Sequence, residues 1–253
     1  MRNIKVWGGT HPDELLPLAL AHSLMDDPIP GVESGIVNVF AEQQGKRFID
    51  VNMNNGYPGD SRSDLYEERR AVEVLQDCQR PDQPYDAIFD MHAINGIGED
   101  AAFIGSKGVS PEVLGFLKQL GIVKVLLTDF NNMLEHTHNA VGTESVRGGM
   151  RSDVGYWRDA FSSLVNKSDF STADPRDFNW FRYTDGLHIS QADPQSITAD
   201  TDPGARVPAF IEKMLGHTEP QYWFGRHLQP NEAGYWAELC TPVAVPDMSG
   251  WPL

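Results

Sequence analysis

Apolar segments of two kinds alternate along the first 165 residues of the chain. Short apolar runs are typical of buried strands, and longer segments with apolar residues at helical spacing are typical of helices. The strand-like segments are Ile4–Trp7, Gly35–Phe40, Asp86–Met91, Ala101–Ile104, Val123–Leu127 and Asn139–Val146. The helix-like segments are Glu14–Met25, Asp64–Leu75, Pro111–Leu120 and Asp153–Val165. This alternation predicts an α/β fold with a mostly parallel sheet flanked by helices.

The character of the sequence changes near residue 167. From there to the end, Pro, Asp, Gly and aromatic residues dominate, and helical periodicity is weak. We therefore expect two domains: a larger α/β domain over residues 1–167 and a smaller, β-rich C-terminal domain over residues 168–253.

A His-x-x-Glu motif, His11 to Glu14, directly follows the first predicted strand. His92 stands at the end of another predicted strand, Asp86–Met91. In open α/β sheets, ligands bind beyond the carboxyl ends of the strands, so the three side chains are expected at one edge. Two imidazoles and a carboxylate, with a fourth position open for water, are the ligand set of a catalytic zinc ion. The pattern predicts one Zn²⁺ per chain, and the alternative is a loop histidine paired with Glu14.

Two further groups of polar residues bear on this site. Asp90 lies two residues before His92 on the same face of the strand, where it can orient an imidazole or an arginine. The alternative is a carboxylate that caps a neighbouring helix. The run from Glu135 to His138 also contains metal-ligating residue types, but four adjacent residues do not easily close a tetrahedral site. We expect that run to line the pocket rim or to face solvent.

Composition narrows the classes of partner. The formal net charge of −16 argues against nucleic acid and anionic membranes, which attract clustered Lys and Arg. The expected partner is a small-molecule substrate, and self-association into a homo-oligomer stays open. Two cysteines exclude a disulfide framework and a cysteine-rich zinc site. Apolar runs far shorter than about 20 residues, and a first strand close to Met1, predict a cytoplasmic protein without a signal peptide.

Six short segments between residues 8 and 235 can be compared, in their order along the chain, with the motifs of a known family. They are Gly8–Glu14, Arg47–Asn55, Tyr57–Asp60 with Tyr66 and Glu67, Asp90–His92, Gly142–Glu144 and Asn231–Tyr235. In this order they resemble the succinylglutamate desuccinylase/aspartoacylase family, relatives of the zinc carboxypeptidases. The first resembles that family's Gly-Gly-Thr-His-Gly-Asn-Glu zinc motif, and the second its Arg-Tyr/Phe-x-x-x-Asp-Leu-Asn-Arg segment. The last three resemble its Asp-Leu-His, Gly-x-Glu and Asn-Glu-x-x-Tyr segments.

The resemblance implies a zinc carboxypeptidase-like fold, with a mixed sheet flanked by helices, and the activity of a zinc-dependent amidohydrolase. Such an enzyme removes an acyl group from the nitrogen of a small acylated amino acid or related compound. The same resemblance implies that the zinc ligands are His11, Glu14 and His92. It also implies that the C-terminal domain narrows the entrance to the site and admits small substrates rather than peptides.

The resemblance also implies roles for residues around the metal. Glu144 would be the general base and then the general acid, and Arg47 would stabilise the developing oxyanion. Asn54 and Tyr235 would hold the substrate. Taken without the resemblance, Arg47 is more typical of a surface salt bridge, and Tyr235 of a core aromatic residue.

Three departures from the family pattern affect the expected substrate. Asn55 stands where the family has an arginine that clamps a carboxylate, and an amide carries no charge. The stretch before Glu144 lacks a second arginine, and the residues after it differ from the family's Val-Gly-Pro run. We therefore expect a substrate other than N-acetylaspartate or succinylglutamate. Asn55 and Arg147 are candidate substrate-binding residues, with Arg151 and the histidines at 136 and 138 as further candidates.

Two other functions are compatible with the same residues. One is a peptidase or esterase that uses the same zinc site. The other is a non-catalytic binding protein on a retained scaffold, for which the altered position 55 is the best support. The sequence also leaves open whether another divalent metal replaces zinc.

Overall fold

A computed structural model describes residues 2–94, 96–98, 100–129, 132–146, 153–166, 173–190, 206–207, 212–213, 215–227 and 234–252. Its strands are β1 (Ile4–Gly8), β2 (Val32–Ile36), β3 (Ala87–Ile94), β4 (Gly96–Gly98), β5 (Ala101–Ile104), β6 (Lys124–Leu127), β7 (Ala140–Val146), β8 (Asn179–Ser190), β9 (Tyr222–His227) and β10 (Gly234–Pro242). Its α-helices are α1 (Leu15–Asp26), α2 (Val39–Gln43), α3 (Tyr66–Cys78), α4 (Pro111–Gln119), α5 (Met133–His136) and α6 (Val154–Asn166).

The described strands form one mixed sheet in the order β2-β1-β3-β7-β5-β6-β8-β10-β9-β4. Its first part is parallel, because β1 pairs in parallel with β2 and β3, and β3 with β7. Strand β5 then runs antiparallel to β7 and parallel to β6. Helices cover the sheet, so the predicted α/β fold with a mixed sheet flanked by helices is confirmed.

The C-terminal part of the chain contributes three strands to this sheet. Strand β8 pairs in parallel with β6, and β10 then lies antiparallel between β8 and β9. The β-rich segment is therefore continuous with the larger sheet through the β6–β8 pair. The boundary expected at residue 167 falls outside the described residues, and the division into two domains stays a prediction.

The strand predicted over Gly35–Phe40 is confirmed only for Gly35 and Ile36, and it is wrong from residue 37 onward. Strand β2 ends at Ile36, and helix α2 begins three residues later. The cause is local, because the side chain of Asn38 accepts a hydrogen bond from the N–H of Ala41 and caps the helix. Apolar residues at 37, 39 and 40 resemble a strand in sequence, but the cap between them starts a helical turn.

Helix α4 begins where the sequence predicts it. The Ser110 side chain accepts a hydrogen bond from the N–H of Val113, and Pro111 occupies the first turn. The helix ends before Gly121, whose φ of +71° favours glycine. Among the described helices, none is both long and apolar enough to cross a membrane.

The sheet lies between two apolar layers. On one face, helices α1, α4 and α6 pack around Phe89, whose ring meets Phe116 and Phe161 edge to face at centroid distances of 5.4 and 5.2 Å. On the other face, helices α3 and α5 pack around Trp7 and Met53. Each fully buried aromatic side chain contributes about 2–3 kcal/mol of hydrophobic stabilisation, so both layers hold the sheet firmly.

Alternation along β3 decides which side chains reach the candidate site. Phe89 belongs to the first layer, and Ile88 to the second. Because successive strand residues point to opposite faces, Asp90 and His92 lie on the face of Ile88. Glu144 of β7 is the register partner of His92, so it lies beside His92 on that same face. The sheet therefore brings a carboxylate next to the imidazole.

Candidate metal centre

His11 and Glu14 occupy the turn between β1 and α1. Gly9 has a φ of +67°, which glycine adopts without strain, so the chain turns sharply after the strand. The N–H of Glu14 then donates to the carbonyl of His11 at 3.0 Å. Helix α1 packs closely on the strand end, because a Cβ at Gly8 would lie 2.2 Å from the carbonyl oxygen of Pro17. The two glycines thus let the turn carry both side chains to the sheet edge.

The three predicted zinc ligands meet at this edge. His11, Glu14 and His92 are all buried, and each offers one ligand atom within 4.8 Å of the others. Nδ1 of His11 lies 2.7 Å from one carboxylate oxygen of Glu14, and Nδ1 of His92 lies 3.1 Å from the other. Among the described residues, this is the one group of three or more such side chains arranged to hold a metal ion.

Hydrogen bonds behind the two imidazoles assign their tautomers. Nε2 of His11 lies 3.0 Å from Oδ1 of Asn52, and that oxygen also accepts from the N–H of Asn54. Nε2 of His92 lies 3.1 Å from a carboxylate oxygen of Asp90. Because both partners are acceptors, the neutral imidazole that a metal requires would keep its proton on Nε2 and offer Nδ1 to the ion. Imidazoles fixed in this way from behind are typical of metal ligands.

The charges within the cluster reinforce one another. Burial by itself raises the pKa of Glu14, but the two adjacent imidazoles outweigh it and hold that pKa well below its usual value. Burial lowers the pKa of His92, but the carboxylates of Asp90 and Glu14 raise it well above its usual value. A carboxylate held in its ionised form and two imidazole Nδ1 atoms therefore converge on one buried point that favours positive charge. A divalent cation fits this donor set.

Asp90 also joins the turn to the strand. Its second carboxylate oxygen accepts a hydrogen bond from the hydroxyl of Thr10 at 2.7 Å. Thr10 directly precedes His11, so one carboxylate contacts both His92 and the turn that carries the other imidazole. Of the two readings of Asp90 from sequence, the contacts favour the orientation of an imidazole.

Arg47 lies against the cluster and is held there by Asp13. One guanidinium nitrogen donates to both carboxylate oxygens of Asp13, at 2.8 and 2.9 Å. The other lies 3.1 Å from Nδ1 of His11 and 3.4 Å from Glu14. An arginine can only donate, so this contact agrees with a lone pair on that Nδ1. The side chain is 20% exposed, and it faces the site rather than open solvent.

The candidate substrate-binding residues are brought together only in part. Asn54 and Asn55 lie on a short 3₁₀ helix, Met53–Asn55, where Asn54 is half-buried and Asn55 is exposed. Tyr235 is in strand β10, opposite Ile189, but its side chain lies outside the described part of the structure. Arg147 and Arg151 also lie outside the described residues.

The run from Glu135 to His138, which also contains metal-ligating residue types, has a structural role. The carboxylate of Glu135 accepts hydrogen bonds from the N–H of Ser106 and the hydroxyl of Thr128. His136 lies at the end of α5, and His138 is exposed. Within the described ranges, these residues are not part of any group of potential metal ligands. Glu135 instead connects the loop at Ser106 to the loop at Thr128 by hydrogen bonds.

Residues 1–98 match the family model of the succinylglutamate desuccinylase/aspartoacylase catalytic domain. The match contains all three candidate metal ligands. The predicted resemblance to the succinylglutamate desuccinylase/aspartoacylase family is confirmed. The matched part of the chain is similar to the catalytic domain of these deacylases. A search of curated proteins finds no match.

Solved structures agree with the family match. Succinylglutamate desuccinylase from Chromobacterium violaceum is 21% identical with a TM-score of 0.69, over 97% of this chain and 86% of that chain. Murine aminoacylase 3 is 16% identical with a TM-score of 0.60, over 97% of each chain. Succinylglutamate desuccinylase from Vibrio parahaemolyticus is 14% identical with a TM-score of 0.63, over 99% of this chain and 85% of that chain. These likenesses show that the chain has the carboxypeptidase-like fold of the family.

Two residues of the centre were missed by sequence reasoning. Asn52 stands where the family segment has its Asp, and Asp13 stands where the zinc motif has its Asn. Both changes are visible by comparison with the motifs, but neither pattern shows which atom the side chain contacts. The structure gives those contacts: Asn52 supports His11, and Asp13 holds Arg47.

Proposed function

We propose that this protein is a zinc-dependent hydrolase that cleaves the N-acyl amide bond of a small acylated amino acid or related compound. The observation that carries this proposal is the buried convergence of His11, Glu14 and His92, with both Nδ1 atoms turned toward the carboxylate. Three protein ligands of this kind leave a position open for water, as catalytic zinc sites require.

The names of the structural neighbours support the amide class. Two are called succinylglutamate desuccinylases and one is called an aminoacylase, and each name describes the removal of an acyl group. The same class fits the chemistry of the site, since amide hydrolysis needs an activated water, a proton shuttle and a positive group at the oxyanion. A zinc ion held by the three ligands would acidify its water and polarise the carbonyl.

Glu144 is the proposed proton shuttle. It lies beside His92 on the neighbouring strand and on the same face of the sheet, and it is half-buried. From there its carboxylate accepts the proton of the attacking water and passes it to the departing nitrogen. General acid–base catalysis of this kind contributes about 10²–10⁴-fold to the rate.

Arg47 is the proposed group that stabilises the oxyanion. Asp13 holds one side of the guanidinium, which leaves the other side directed at His11 and Glu14. A fixed cation beside the ligands can donate to the oxygen on which negative charge develops. Because its partner is already in place, little reorganisation is needed during the reaction.

Substrate recognition is proposed to involve Asn54, Asn55, Tyr235 and Arg147. The 3₁₀ helix that carries the two asparagines follows directly after Asn52, whose side chain contacts His11. Neither asparagine carries a charge, so a substrate carboxylate needs a cation from elsewhere, for which Arg147 is the candidate. The C-terminal strands are proposed to narrow the entrance.

Metal content is the first test. Elemental analysis of protein purified without chelator or metal-binding tag should give about one zinc per chain. His92→Ala should lose it, and His138→Ala, which alters an exposed histidine, should keep it. If wild-type protein neither contains zinc nor takes it up when it is supplied, the proposed function is wrong.

A substrate panel then tests the reaction. Zinc-loaded protein is incubated with N-acyl amino acids, dipeptides and aryl esters, and the released amine, acid or phenol is measured. Preference for N-acyl amino acids supports the proposal. Preference for dipeptides or esters would replace it with a peptidase or an esterase, and zinc binding without turnover of any class would favour a binding protein.

A further inference from the structure

Glu67 is a completely buried carboxylate that binds a run of backbone N–H groups. Its two oxygens accept from three consecutive residues, Ile49 at 2.6 Å, Asp50 at 3.0 Å and Val51 at 3.3 Å. A fourth hydrogen bond comes from the side-chain amide of Asn38, at 3.2 Å. Hydrogen bonds from successive N–H groups are what an ionised carboxylate needs when it is removed from water.

The loop that Glu67 binds carries two residues of the metal centre. Arg47 lies two positions before the bound N–H groups, and Asn52 lies one position after them. Both side chains contact His11: the guanidinium at Nδ1 and the amide oxygen at Nε2. Glu67 therefore fixes the backbone segment that determines where both contacts are made.

The loop and helix α3 are tied together in both directions. The carboxylate of Asp50 accepts a hydrogen bond from the N–H of Tyr66, at 2.8 Å, while Glu67 accepts from the loop. Beyond the 3₁₀ helix the chain again approaches α3 closely, because a Cβ at Gly56 would lie 3.0 Å from the carbonyl oxygen of Glu67. The chain therefore contacts the first turn of α3 both before Asn52, at Asp50, and after it, at Gly56.

Asn38 extends the arrangement to the turn that carries His11. Its side-chain oxygen accepts from Ala41, so its amide nitrogen is the atom directed at Glu67. Its backbone N–H donates to the carbonyl of Gly9, two residues before His11. Glu67 is therefore linked, through Asn38, to the turn that carries His11 and, directly, to the loop whose side chains contact the His11 imidazole.

We infer that Glu67 is a positioning residue for the metal centre: it holds the loop from which Asn52 orients His11 as a ligand and from which Arg47 reaches the same site. This inference rests on the proposed zinc site. It assigns to Glu67 a function beyond stability, because misplacing Asn52 by even a small distance removes the acceptor that keeps the proton on Nε2.

Zinc affinity measured by competition with a chromophoric chelator tests the inference. Glu67→Gln replaces one acceptor oxygen with an NH₂ group that faces backbone donors, so the loop must move. We expect the Kd for Zn²⁺ to rise about 10-fold or more, the range seen when a group behind a metal ligand is altered. Glu68→Gln makes the same change of charge one residue further along, and its Kd should stay within about twofold of wild type.

A double-mutant cycle separates positioning from general stability. If Glu67 acts through Asn52, the loss of zinc affinity in Glu67→Gln should be largely absent when Asn52 is already Ala. Equal losses in the two backgrounds would overturn the inference. So would a Glu67→Gln protein with a lower Tm but an unchanged Kd for zinc, because that result describes a purely structural residue.

Two provisions keep the test decisive. Circular dichroism of zinc-free Glu67→Gln protein checks that this variant is folded at the assay temperature. If it is unfolded, the zinc affinity and the double-mutant cycle are measured with Glu67→Asp, which keeps a carboxylate, and judged by the same criteria. Wild-type protein is measured in parallel. A wild type that binds no zinc contradicts the proposed function, whereas a zinc-binding wild type matched by Glu67→Gln contradicts only the role of Glu67.

Discussion

Asn52 accepts a hydrogen bond from Nε2 of His11 at 3.0 Å, with a neutral amide oxygen in the position where the family segment has an aspartate. The other imidazole has a full carboxylate behind it, because Nε2 of His92 lies 3.1 Å from Asp90. The two candidate ligands are therefore supported unequally. A carboxylate behind an imidazole raises its basicity more than an amide does.

The first prediction follows from this asymmetry. Asn52→Asp should tighten zinc binding about 10-fold, because the added charge makes His11 a stronger ligand. Asn52→Leu should weaken binding by a similar factor, since it leaves Nε2 without that acceptor. Chelator competition at constant pH measures both Kd values. An Asn52→Asp protein that binds zinc no better than wild type would contradict the proposed importance of this hydrogen bond.

The second prediction concerns the pair of Arg47 and Asp13. Arg47→Ala should lower kcat by about 10²-fold with little change in zinc content, because the guanidinium acts on the oxyanion. Asp13→Ala should lower kcat by a smaller factor, about 10-fold, because the arginine remains but loses the carboxylate that orients it. Arg62→Ala, which removes a guanidinium whose side chain is 91% exposed, is the control and should leave the rate unchanged.

Steady-state kinetics on the best substrate of the panel separate the possible outcomes. A rise in KM with unchanged kcat in Arg47→Ala would mean that the arginine binds substrate in its ground state rather than stabilising the oxyanion. Equal losses in the two variants would mean that Arg47 has no function unless Asp13 holds it.

The sequence was sufficient to predict the first parallel strands and the convergence of the three candidate metal ligands. Ile4–Trp7 and Asp86–Met91 have the continuous apolar character of buried strands, and their carboxyl ends must meet at one edge of a parallel sheet. The predicted meeting of His11, Glu14 and His92 follows from that geometry alone, and the structure contains it.

The contacts behind the ligands could not be predicted in the same way. Asn52 and Asp13 act through single side-chain contacts, which depend on how a loop without periodicity folds back on α3. Glu67 looks in sequence like one more acid in the first turn of a charged helix, where carboxylates are common because they favour the positive end of the helix dipole. Its burial and its three backbone donors become visible only when the loop is in place.

The third prediction tests the proton shuttle. Glu144→Gln keeps the shape of the side chain but cannot accept a proton, so kcat should fall by about 10²–10⁴-fold. Zinc content should stay near that of wild type, because Glu144 is not one of the three ligands. Glu73→Gln is the control, since that side chain is 62% exposed on helix α3. Undiminished turnover in Glu144→Gln would remove this residue from the mechanism.

The fourth prediction concerns pH and the stability of the protein with and without zinc. In the zinc-free protein, the carboxylates of Asp90 and Glu14 outweigh burial and raise the pKa of His92 above its usual value of 6.5. That stabilisation is complete below pH 6.5 and is lost as the pH rises through the raised pKa of the folded state. The pKa of Glu14 is lowered from 4.5, so its contribution is present above pH 4.5 and is lost only in more acidic solution.

Zinc binding has the opposite dependence on pH, because the ion displaces the proton that His92 otherwise holds. As the pH rises from 6.5, the zinc-free protein loses stability while the competition of protons with zinc weakens. The difference in Tm between zinc-loaded and chelator-treated protein should therefore widen steadily as the pH rises above 6.5. Thermal unfolding followed by circular dichroism at fixed free zinc measures this difference. A gap that stays constant or narrows with rising pH would mean that proton and zinc do not compete for the imidazole of His92.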